Sequence, residues 1–150
     1  MDNDLINNHK SPIPKGLYHC IIMDVTSGTT RKSGIPYDRL TLEVLTGEHP
    51  GQQNKKFSQL LFYQKVGDRQ VETNAHVRWA WAAGILHPGE TIDFNPGMLR
   101  GKQVIVRVVP QKNTDYNEVD DRGYAVWLIG NEDVANVPTL TLPKPFESDN

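Results

Sequence analysis

The chain has 150 residues, a single cysteine and a formal net charge of −2. That length suits one domain with a modest core, a lone Cys20 excludes an internal disulfide or a cysteine-rich zinc site, and no run approaches the ~20 apolar residues that span a bilayer. Met1-Asp2-Asn3-Asp4-Leu5 lacks the basic and apolar regions of a signal peptide, so a soluble, cytoplasmic protein is expected, by exclusion.

Residues 1–15 are polar and carry Pro12 and Pro14, which reads as a flexible N-terminal arm. Residues 17–25 are apolar on both parities, the pattern of a long, curled first strand buried on both sides over part of its length. Cys20 within it reads as a small core hydrophobe. Residues 27–34 form a glycine-flanked loop with Arg31 and Lys32 at its tip. Residues 37–45 then alternate, with Leu40, Leu42 and Val44 on one face and Tyr37, Arg39, Thr41 and Glu43 on the other. A turn cluster at 46–51 leads to a third strand, 55–63.

Between Asp68 and Leu86 the period changes. Val71, Ala75, Trp79, Ala82 and Leu86 fall at helical spacing, Asp68 stands where a cap belongs and Gly84 where the helix should stop. Trp79 belongs to the inward stripe; Trp81 points to the other side of the helix. The fourth strand spans 103–109, with Val104, Val106 and Val108 inward and Ile105 and Arg107 outward. A polar loop at 110–123 precedes a fifth strand at 124–129. Beyond Asn136 the chain has three prolines and no periodicity, which reads as a disordered tail. Three strands, one helix and two strands is the order of the OB-fold, a partly open barrel that binds oligonucleotides and oligosaccharides on its strand 2–3 face. The expectation is a mainly β protein: a five-stranded OB-fold-like barrel with one α-helix between strands 3 and 4. Residues 1–15 are the arm, 16–135 the barrel domain and 136–150 the tail.

Charge is segregated along the chain. Residues 10–112 hold 14 Lys and Arg against 8 Asp and Glu, whereas 113–150 hold 2 against 8. A polyanion responds to such a local basic field and not to the total. Single-strand binding needs cations that follow phosphates and flat rings that stack on bases. The cations are Arg31, Lys32, Arg39, Lys55, Lys56, Arg107 and Lys112; the rings are Tyr37 and Tyr116, with Phe57 open between stacking and core. Trp127 is likewise open between core and face.

The five histidines are scattered without metal-ligand spacing, so no metal or other cofactor is expected. No phosphate-cradling glycine motif or nucleophile elbow occurs, which argues against an enzyme. Asp115, Asp120 and Asp121 are the one set to weigh as a divalent-ion nuclease site, against a solvated turn.

Several short motifs also carry a family likeness. Pro14-Lys15-Gly16-Leu17-Tyr18 gives a Pro-x-Gly-x-Tyr start to the first strand. A glycine-broken hairpin, the strand Leu40-Thr41-Leu42-Glu43-Val44, the helix end Ala83-Gly84 and Leu99-Arg100-Gly101-Lys102 follow. Over residues 13–130 the chain resembles a phage and prophage family of small OB-like proteins regarded as single-stranded-DNA-binding. The resemblance implies a sequence-tolerant role in phage recombination or replication, in the host cell cytoplasm, and supplies no catalytic residues. Phe146-Glu147-Ser148-Asp149-Asn150 is similar in kind to the acidic tips that recruit replication and repair partners. Self-association is left open. The competing expectation is a protein- or carbohydrate-binding β-domain whose basic residues are merely solvated.

Overall fold

A computed structural model describes residues 12–111 and 116–142. Its elements in chain order are β1 (Gly16–Thr29), β2 (Pro36–Gly47), β3 (Lys56–Phe62), β4 (Gln64–Val66), β5 (Arg69–Val71), α1 (Asn74–Ala82), β6 (Gln103–Pro110), β7 (Asn117–Val119) and β8 (Val126–Trp127), with short 3-10 turns at Pro96–Leu99, Asp121–Gly123 and Glu132–Val134. The main sheet runs β3-β2-β1-β6-β7, all antiparallel, and β8 shares the outer edge of β6 with β7. The result is a nearly closed, five-strand OB-like barrel, and the one α-helix among the described residues lies between its third and fourth strands.

β1 is long enough to serve two neighbours: residues 18–29 pair with β2 and residues 16–21 with β6. Register shifts between His19 and Cys20 and between Ile22 and Asp24 add the local twist that curls one strand around a barrel. The alternation in β2 and β6 places Leu40, Leu42, Val44, Val104, Val106 and Val108 in the core. Cys20 lies among them, and burial pushes its thiol pKa far up, so it is a protonated core side chain. Trp79 is fully buried and its Nε1–H donates to the Gly123 carbonyl at 2.7 Å. Among the described residues no helix is long and apolar enough to cross a membrane.

Four expectations are corrected. The helix begins at Asn74, not near Asp68, because residues 64–71 form the β4–β5 hairpin around a Gly67-Asp68 turn. Thr73 is the N-cap, and the helix ends in a Schellman arrangement: Ile85 N–H donates to the Ala80 carbonyl and Gly84 N–H to that of Trp81. The fifth strand is split into β7 and β8, because Asp121, Arg122 and Gly123 all have positive φ and interrupt it. The end of the expected arm is packed: Ile13 is buried and pairs its N–H and C=O with the Asn117 side-chain amide at 2.9 and 3.0 Å. At the other end Val137, expected in a disordered tail, packs with Val134 on Ile105, so the outward side of β6 is covered there. Residues 1–11 and 143–150 lie outside the described residues.

The C-terminal segment is also held by a buried imidazole. Leu140 N–H donates to His19 Nδ1 at 3.0 Å, so Nε2 carries the proton and donates to Gln103 Oε1 at 2.8 Å. Burial lowers the His19 pKa from its ordinary 6.5. Above pH 6.5 the ring is neutral whether the chain is folded or unfolded, and this contribution to stability is complete. As pH falls the unfolded chain takes up the proton first, so stability declines below that value and levels off under the folded pKa. Urea unfolding between pH 8 and pH 5 should show this decline, and His19→Gln should show a shallower one.

Candidate functional site

The outward residues of β2 and β3 form one wall of a groove of about 760 Å³. Arg39 and Thr41 come from β2; Lys56, Ser58, Leu60 and Phe62 come from β3. Tyr116, Asn117 and Glu118 stand opposite, and Arg122 projects from the 3-10 turn. The groove is the outer opening of the seam where β3 and β7 approach without a strand ladder. One side chain crosses that seam. Gln59 Oε1 accepts from Val119 N–H at 2.9 Å, and its Nε2 donates to the Leu60 carbonyl at 3.0 Å.

Strand parity sorts the side chains. Phe57, Gln59 and Leu61 are buried, whereas Lys56, Ser58, Leu60 and Phe62 face the groove. Phe62 leaves 43% of its surface in water and meets the edge of Tyr37, with ring centroids 5.9 Å apart at 73°. Tyr37 in turn lies across Gly28, where a Cβ would come within 2.7 Å of the phenol ring. The missing side chain is therefore what lets this ring settle on β1 beside the groove.

The inward neighbours of these two rings are tied together. Asp38 is buried and accepts from the Tyr63 hydroxyl at 2.5 Å. Thr73 N–H donates to His76 Nδ1 at 3.2 Å, so His76 Nε2 carries the proton and donates to Asp38 Oδ2 at 3.1 Å. His76 thus occupies the place of the glutamate in a helix capping box. Burial, reinforced by Asp38, raises the Tyr63 pKa, so its hydroxyl keeps its proton and remains a donor.

Of the residues singled out in the sequence, Arg39, Lys56, Phe57 and Tyr116 line the groove, and Tyr37 supports it through Phe62. Lys56 Nζ stands 3.9 Å from Glu43, an exposed pair that water weakens. Arg31 and Lys32 are exposed at the tip of the β1–β2 loop, which Thr30 braces by accepting from Ile35 N–H on its side chain at 2.9 Å. They do not line the groove, but the loop enters β2 immediately ahead of Tyr37. Phe57, open between stacking and core in the sequence, is 7% exposed and packed in the core, and it also lines the groove. Two assignments change. Lys55 turns to the Pro12 carbonyl at 3.4 Å and anchors the N-terminal segment. Arg107 stands over the Trp127 ring at 5.9 Å, on the barrel side away from the groove, with Arg78 also over Trp127 at 5.9 Å and over Trp81 at 4.7 Å. Trp127, half-buried, packs against both core clusters. Lys112 and Asp115 lie outside the described residues.

Among the groove residues not singled out in the sequence, Phe62 and Arg122 bear on its chemistry. Phe62 could have been found, because its parity is that of Lys56 and Ser58. Arg122 could not, since no strand or helix period runs through a left-handed turn. Comparison with protein-family models and with curated proteins finds no match for this chain.

The seam makes a mutational forecast. Gly123 has φ of 93°, and a Cβ there would sit 2.8 Å from Gln59 Nε2. Gly123→Ala should lower the unfolding free energy by about 2–3 kcal/mol in urea melts. Gly130 has the similar φ of 95° and nothing within 4 Å, so Gly130→Ala should cost only about 1 kcal/mol.

Proposed function

We propose that this protein binds single-stranded DNA with little sequence preference, through the β2–β3 groove, as a recombination or replication factor of a phage or prophage. The observation that carries the reading is the groove's composition. Arg39, Lys56 and Arg122 bring cations to the same cleft in which Phe62 and Tyr116 expose their rings. A strand needs both, phosphate contacts along its backbone and flat surfaces under its bases. An OB-like barrel presents this face to oligonucleotides. The likeness of the sequence motifs to the phage family points the same way. On this reading the protein acts by binding alone, in the host cytoplasm, and Arg31 and Lys32 extend the phosphate track beyond the Phe62 end of the groove.

Fluorescence anisotropy with labelled oligothymidine tests it. The logarithm of affinity should fall linearly with the logarithm of salt concentration, with a slope near −0.7 per phosphate contact. Arg39→Ala should reduce that slope by roughly one contact's worth. Phe62→Ala should cost ~1–3 kcal/mol of binding and leave the slope unchanged, because stacking releases no counterions. Binding that ignores salt, or no binding beside retention on a carbohydrate or protein ligand, would overturn the proposal.

A further inference from the structure

Asp121, Arg122 and Gly123 have φ of 54°, 53° and 93°, three left-handed residues in succession. Only one other non-glycine among the described residues has positive φ, and it is an asparagine, Asn54. Asparagine and aspartate visit this region readily because their short polar side chains bond locally; a long side chain such as arginine has no such compensation. Glycine would be the unstrained choice at position 122.

The surroundings hold the turn in place. Trp79 Nε1–H donates to the Gly123 carbonyl at 2.7 Å, Asp121 N–H donates to Asp120 Oδ1 at 2.8 Å, and Tyr124 N–H donates to the Asp121 carbonyl at 2.9 Å. Gln59 fills the space beside Gly123. Arg122 itself is exposed, lines the groove and makes no hydrogen bond or ion pair with the described residues. A strained backbone that presents an unpartnered guanidinium to a cleft is the signature of a residue kept for a ligand.

We infer that Arg122 is the phosphate anchor of the groove, its left-handed conformation retained because it holds the guanidinium at the β3–β7 seam. The planar fork of arginine matches two oxygens of a phosphodiester, which a lysine ammonium cannot do. Its place opposite β3 puts the anchor across the cleft from Lys56 and Phe62, so a strand lying in the groove is gripped from both walls. The inference rests on the reading of the groove as a single-strand site and assigns the contact that would be made at a cost in stability.

The test measures stability and affinity on the same variants of the full chain. Arg122→Gly should raise Tm by about 2–4 °C, since glycine accepts the left-handed turn freely. The same change should weaken oligothymidine binding about tenfold and flatten the salt slope by about 0.7. Arg122→Lys should keep the slope and lose part of the affinity. Wild-type affinity and slope in Arg122→Gly, with the wild type binding normally, would overturn the anchor and leave the groove standing. A fall in Tm together with lost binding would show a structural role and also overturn it. Failure of the wild type to bind oligothymidine would overturn the groove reading, and the anchor with it.

Discussion

A barrel of five strands has to close, and here the first and last strands of the sheet, β3 and β7, share no ladder. They are joined across the seam by the Gln59 side chain, which accepts from Val119 and donates within its own strand. A buried amide is stable only when its polar atoms are matched, so this bridge fixes the distance between the two strands. It also dictates what lies beside it. A Cβ at position 123 would press on Gln59 Nε2 at 2.8 Å, and the Gly123 carbonyl is taken by the Trp79 indole from the helix. Helix, seam and turn are therefore one mechanical unit, and the groove is the part of the seam that Gln59 leaves open.

The second unit lies at the far end of β2. Asp38 would be a costly buried carboxylate without donors, and the Tyr63 hydroxyl and His76 imidazole supply them. Because strand neighbours point to opposite faces, fixing Asp38 inward fixes Tyr37 and Arg39 outward, and fixing Tyr63 does the same for Phe62. Phe62, its supporting ring Tyr37 and the cation Arg39 are thus set by a network that lies on the opposite face of the two strands, with Thr73 also holding the Phe62 carbonyl at 3.0 Å. His76 couples this network to the start of α1, so the helix is tied to the barrel at its N-terminus by Asp38 and on its flank by Gly123.

The β2 and β6 faces, the burial of Trp79 and the stop at Gly84 were legible because each follows from a period over several residues or from a single backbone rule. The run Leu60-Leu61-Phe62-Tyr63 has no period of its own, and without a register its two parities are equivalent. Phe57 therefore stays open between stacking and core in the sequence, and only the fold shows that it is buried while Phe62 is exposed. Val71 matched the helical stripe by spacing alone, yet a two-residue turn at Gly67-Asp68 claims it for β5. Lys55 and Arg107 were placed by composition, and their partners, Pro12 and Trp127, are distant in sequence. The packed ends at Ile13 and Val137 are of the same kind: short apolar residues in proline-containing segments look solvated until a complementary surface exists.

Folding also rearranges the charge that the sequence segregates. The groove draws Arg39 and Lys56 from the basic stretch, but Arg122 and Glu118 come from the acidic one. Glu118 opposes any polyanion in the cleft, whereas Arg107, basic by sequence, is spent on Trp127 outside it. A net cationic excess this small gives a field that salt screens over about 10 Å, too weak to supply tight binding by itself. The non-electrostatic share must then come from the rings, and stacking accepts every base because every base has a π-face. On the single-strand reading proposed above, a groove poor in charge and exposing Phe62 and Tyr116 would hold a strand loosely and without regard to sequence.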